Sequence, residues 1–167
     1  MGAIKVTLKK KRFDTTKLRE GVVRVGWFEG VRYKDGVSVA QVAHWNEYGT
    51  GGPHGIPKRP FMRPAVHQNR KELQETLRSL YRQAIKDNTN TMDALGNFGV
   101  LVQAKIRRQI LSTTTPANSP ITVHGGWLGR PGKKGGVFIK GKGFNKPLQN
   151  TGYMVDTVDY QCEEVVK

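Results

Sequence analysis

The chain has 167 residues, with 28 Lys+Arg against 13 Asp+Glu, four His and one Cys, a formal net charge of +15 and a pI near 10.2. The length suits one domain with its own core, and a hydrophobic content of 37% is too high for a fully disordered chain. One Cys leaves no internal disulfide framework or Cys-based zinc cluster, and no apolar run reaches the roughly 18–20 residues of a membrane span.

Near the N-terminus, Ile4, Val6 and Leu8 alternate with Lys5, Thr7 and Lys9, the period-2 pattern of a half-buried strand. The basic residues follow this short apolar stretch, whereas a signal peptide needs them before a longer one, so the expectation is an unexported protein. Gly21–Glu29 (GVVRVGWFE) reads as a second strand, with Val23, Val25 and Trp27 on one face. Asp35-Gly36 signals a turn, and Ser38 can N-cap a helix over Val39–Tyr48 whose apolar stripe is Val39, Val42, Ala43 and Trp45. Gly49–Pro53 ends it.

The prolines in Gly55–Pro64 (GIPKRPFMRP) exclude a helix interior. Pro64 suits the first turn of a long amphipathic helix from Ala65 to about Lys86, carried by Val66, Leu73, Leu77, Leu80, Tyr81 and Ala84. A second helix follows from Thr91 to Leu111, making a helical hairpin. Gly96 and Gly99 within it lower helix propensity, which predicts close packing against a neighbour. Ser112 to Lys146 holds three prolines, and eight glycines lie between Gly125 and Gly143. Only Gly136–Lys140 (GVFIK) looks like a strand there, so the segment reads as an excursion from the core. Tyr153–Val166 predicts a final strand. The expected fold is α+β: a mainly antiparallel sheet packed against the helical hairpin, as a single domain over residues 1–167 with 112–147 as a protruding loop or hairpin arm.

Chemistry is harder to find. The run Gly136 to Gly143 is near a phosphate-binding loop, but Gly143 stands where Ser or Thr must follow the Lys. The four His show no ligand spacing; His44 and Glu47 suit a helix-surface pair better than a metal site. Carboxylates are scattered, and the acidic surroundings of Cys162 argue against a nucleophilic thiol. The expectation is no enzyme, no cofactor and no metal. The charge points instead to an anionic partner, because Ala94–Val155 carries nine basic residues and no acid. Within it Arg130, Lys133, Lys134, Lys140, Lys142 and Lys146 interleave with Trp127, Phe138 and Phe144. Rings can stack on bases while cations neutralise phosphates, so one reading is a nucleic-acid-binding basic protein, DNA- or RNA-binding and ribosomal-like. The other is an assembly arm that orders on a neighbouring subunit.

The segment Val39–Pro64 bears on that choice. It contains Asn46, Glu47, Tyr48, Gly49 and Thr50, then Ile56, Pro57, Arg59, Pro60, Phe61, Arg63, Pro64 and Ala65. With Val25-Gly26-Trp27-Phe28 upstream and Pro147-Leu148 and Thr151-Gly152 downstream, this order resembles the neck, tail-completion and minor tail protein Z-like families of tailed bacteriophages, over most of Val22–Val158. Trp45 and the long Gly-rich loop depart from the pattern. The resemblance implies a structural virion protein that oligomerises as a ring, taken as a hexamer, and joins tail to head. Its partners would be connector or head-completion proteins and tail-tube or tail-terminator proteins, with genomic DNA in reach and no membrane contact. Its location would be the head–tail junction or tail end of the virion, and the host cytoplasm during assembly. Two readings stay open for the motif: Arg59 and Arg63 reach a neighbour's carboxylate with Phe61 as an apolar anchor, or Phe61 packs in this domain's own core and the arginines cap local carbonyls.

Overall fold

A computed structural model describes residues 14–52, 55–129 and 136–165. The fold is α+β, with six helices and two small antiparallel sheets among these residues. The strand expected at Ile4–Leu8 lies outside the described residues, as do Arg130, Lys133 and Lys134.

Strand β1 (Gly21–Gly26) pairs antiparallel with β4 (Asp159–Glu164), Gly21 opposite Glu164 and Gly26 opposite Asp159. The pairing joins the basic start of the chain to its acidic end: Arg19 meets Glu164 at 2.6 Å and Arg24 meets Glu163 across the strands. Helix α4 (Thr91–Ser112) lies on this sheet and presents Val102, Ile106 and Ile110, at i, i+4 and i+8, to the core. Its start is fixed by Asn90, whose side chain accepts from the Met92 amide, and by the fully buried Thr91 hydroxyl, bonded to the Lys17 and Arg19 carbonyls.

Helix α3 (Arg70–Asp87) ends at Asn88 in the left-handed conformation, φ 58°, and the chain turns into α4. The two helices are antiparallel, as Lys105 of α4 reaches Glu72 at the start of α3, 2.7 Å away. The continuous helix expected from Ala65 is instead two helices, α2 (Met62–His67) and α3. Asn69 causes the break: its side-chain amide donates to the Ala65 carbonyl at 2.8 Å and takes the acceptor its own backbone N–H would have used. The final strand is also shorter than expected. Tyr153–Asp156 forms a helical turn, α6, which buries Met154 and Val155 beside Val158 before β4 begins.

Ser112–Lys146 holds more structure than its glycines and prolines suggest. Ser119-Pro120 starts a five-residue helix, α5 (Pro120–His124), with Ser119 as N-cap and Pro in the first turn. Beyond it β2 (Gly126–Leu128) pairs with β3 (Val137–Ile139) in a hairpin. The hairpin base is stitched back to α5, where the Lys142 and Gly143 amides donate to the Thr122 and Val123 carbonyls.

Of the two glycines in α4, Gly99 alone is at a close approach. A Cβ there would lie 2.5 Å from Tyr160 Cδ2 and 3.0 Å from Val23 Cγ2, whereas one at Gly96 would meet nothing within 4 Å. Gly99→Ala should therefore lose about 1–3 kcal/mol by overpacking, and Gly96→Ala should gain about 0.5–1 kcal/mol from helix propensity. Urea denaturation midpoints of the two variants should move in opposite directions.

Candidate functional site

Helix α1 (Val39–Tyr48) buries Val39, Ala43 and Glu47, which follow one another at helical spacing on its inner face. Glu47 is thus a carboxylate on a core stripe, 3% exposed. Such a charge must be matched by donors, since an unpaired buried carboxylate is strongly unfavourable. The matching donors are the first amides of α2. Phe61 N and Met62 N donate to one carboxylate oxygen at 2.6 and 3.0 Å, and Arg63 N donates to the other at 3.2 Å. The Arg63 guanidinium adds Nε to the carboxylate at 2.8 Å and Nη2 to the Glu47 carbonyl at 3.2 Å. Glu47 therefore caps the N-terminus of a helix 15 residues on, in place of a local Ser or Asp, where the helix dipole also favours a negative charge. It makes no surface pair with His44, which instead stacks on Tyr48 at 4.7 Å.

The rest of the motif serves the same joint. Gly49 takes φ 76°, and a side chain there would crowd the Ile56 carbonyl at 3.1 Å and the Lys58 amide at 3.2 Å. Thr50 clasps Ile56 twice, its amide donating to the Ile56 carbonyl and its hydroxyl accepting from the Ile56 amide. Residues 55–61 then run back along α1, with Arg59 N donating to the Asn46 carbonyl at 2.7 Å. Pro57 and Pro60 hold this stretch extended on either side of that bond. Pro64 sits in the first turn of α2, where no amide is needed. The Asn46 side chain closes on the Val42 carbonyl, and the exposed Tyr48 ring lies 4.7 Å from the Arg63 guanidinium carbon.

The motif's partner-facing reading is corrected at two positions. Phe61 is fully buried in this domain's own core, edge-on to Trp27 at 5.8 Å, so it is not an exposed anchor. Arg59 is 7% exposed, with Nε bonded to the Pro116 carbonyl at 2.7 Å and Nη2 to the Ala117 carbonyl at 2.9 Å. It ties the motif to the start of the Gly-rich excursion. Arg63, half exposed, belongs to Glu47. The basic loop is likewise not one array: Lys140 and Lys146 are exposed, but the Lys142 ammonium turns inward to the Lys146 and Gln149 carbonyls, 2.7 Å from each. No cluster of three or more His, Cys, Asp or Glu among the described residues could hold a metal ion. Burial, rather than acidic neighbours, pushes the Cys162 thiol up.

What the side-chain pattern hides is the part played by Glu47. The spacing 39, 43, 47 was the available signal, and it reads as a break in an apolar stripe unless the missing donors are sought elsewhere. Comparison of the chain with protein-family models, curated proteins and solved structures finds no match.

Burial alone would raise the Glu47 carboxyl, but the hydrogen bonds from Arg63 and from the Phe61, Met62 and Arg63 amides outweigh it and hold the group below its ordinary 4.5. Its contribution to stability is then fully present above 4.5 and is lost as pH falls through the lower folded value. Glu47→Ala should lose about 2–4 kcal/mol, the sum of a lost cap and unsatisfied donors. Glu47→Gln should flatten the dependence of unfolding free energy on pH below 4.5, as read from urea titrations at stepped pH.

Proposed function

We propose that this chain is a structural virion protein of a tailed bacteriophage, a neck or tail-completion component that forms a ring with its own copies and joins the tail to the head connector. The setting comes from the ordered motifs that resemble those families. The observation that carries an assembly role is the β2–β3 hairpin. Trp127 lies opposite Phe138 and Leu128 opposite Val137, and residues directly opposite share a face. Each face therefore carries an apolar pair, and all four side chains are 49–59% exposed. Trp127 and Phe138 meet edge-on at 5.6 Å. A two-stranded hairpin is marginal alone, and exposed apolar surface on both faces suits insertion between protein neighbours. The Glu47 joint agrees with this reading, because its titratable groups are engaged in holding the fold.

Replacing Trp127 and Phe138 together by Ser should leave the thermal midpoint within about 2 °C, as for exposed positions, yet abolish oligomers in light scattering and leave tails unjoined in negative-stain images of lysates. Joined, infectious particles from that variant, or from lysates lacking the protein, would overturn the assembly role.

A second reading is nucleic-acid binding, favoured by a shallow groove of about 820 Å³ along α2, lined by Lys58, Arg63, His67 and Arg70 without an acid. It requires duplex or single strands to bind at about 50 mM salt and to be released steeply as salt rises. A ring on the DNA exit path would show both behaviours.

A further inference from the structure

Beside the motif lies a cavity of about 460 Å³ between α1, the Tyr33–Val37 turn and the segments 148–154. Arg59, Lys142 and Asn118 contribute its polar wall, Trp45 and Tyr33 its aromatic wall. Arg59 is the buried arginine described above. Its Nε edge is taken by two carbonyls, and no carboxylate pairs with it among the described residues. Nη1 has no partner there either, so the end-on fork of the guanidinium is free to take a planar anion. Lys142 adds a second cation whose two bonded acceptors are both neutral carbonyls. The Asn118 side-chain nitrogen is buried with no hydrogen-bond partner, and such a group calls for one.

We infer that this cavity is a binding site for a carboxylate on an apolar stem, presented by an acidic segment of a partner protein. Three donors that lack an anion line it, and the Trp45 and Tyr33 rings offer contact for the stem. Burial and then the charge of Arg59 pull the Lys142 ammonium down, a repulsion that an anion between them would relieve. Asp35, also in the lining, disfavours a polyanion such as a phosphodiester strand while leaving room for a single negative charge. The site does not depend on the phage assignment, since it follows from the donors alone.

Nuclear magnetic resonance titration of the full-length protein tests it. The probe is a blocked peptide carrying one phenylalanine beside one glutamate, and its control is the same peptide with glutamine. The glutamate peptide should shift the Trp45 indole N–H and Asn118 side-chain amide signals saturably, and the glutamine peptide should not. Lys142→Gln, at a partly exposed position, should weaken binding about tenfold, the loss expected for one charge-assisted hydrogen bond. Arg59→Gln should abolish binding; each substitution also uncaps two carbonyls, so the paired glutamate and glutamine peptides on the unaltered protein decide the matter if a variant does not fold. Equal shifts from both peptides, no saturable shift at millimolar peptide, or tighter binding of inorganic phosphate at the same signals would each overturn the proposal. Ring assembly can fail with this site intact, so the two proposals stand or fall separately.

Discussion

The structure depends on one buried negative charge. Glu47 sits where α1 faces the core, and it is tolerable there only because the first amides of α2 and the Arg63 guanidinium converge on it. That requirement fixes the distance and angle between two helices separated by an extended, proline-rich segment. With the helices fixed, Phe61 falls into the core beside Trp27, and the Trp27 indole can donate to the Met154 carbonyl of the distant C-terminal turn. Arg59 is carried to the Pro116 and Ala117 carbonyls by the same placement. One carboxylate thus determines how the N-terminal third of the chain meets the Gly-rich excursion and the final strand.

The net charge takes on a different meaning in this light. Two cations of the acid-free stretch are turned to backbone carbonyls: Arg107 to Asp156 and Val158, Lys142 to Lys146 and Gln149. Segments rich in Gly and Pro leave carbonyls without ladder or helix partners, and long basic side chains supply the missing donors without bringing acids with them. Part of the imbalance is therefore a consequence of how the fold satisfies its backbone. The chain's acidic C-terminal strand answers its basic beginning in the β1–β4 pair. Among the described residues of that stretch, Arg108, Lys140 and Lys146 stay exposed, and the groove along α2 adds Lys58, His67 and Arg70.

Elements with long periods were legible in the sequence. Helix α4 shows its core face over 22 residues, and β1 shows Val23 and Val25 facing inward as the alternation requires. What was hidden is short or made by side-chain competition. A five-residue helix such as α5 is too brief for periodicity, and only Ser119-Pro120 marks it. The break at Asn69 comes from a side-chain hydrogen bond that apolar spacing cannot register. Around the turn at Tyr153–Asp156, Met154, Val155 and Val158 are buried at helical spacing, while Val155, Thr157 and Asp159 alternating with Asp156, Val158 and Tyr160 imitate a strand. The motif residues were visible as a group, but their use was not. Whether an arginine faces a neighbour or a carbonyl depends on residues 57 positions away, as the bond from Arg59 to Pro116 shows.

This division of labour bears on where recognition can reside. The residues of the motif are spent on the joint: Glu47 on amides, Phe61 on the core, Gly49 and Thr50 on the turn. Little of their chemistry is left for a partner except the free fork of Arg59. The exposed apolar pairs lie on the hairpin, whose base is held by α5 and by the Lys142 ammonium. Arg59 grips the chain just before α5, so the hairpin and the cavity share one support, and both are tied to the Glu47 joint. A partner that filled the cavity would bear on Arg59 and Lys142 together, which are the residues that hold the hairpin's base to the core.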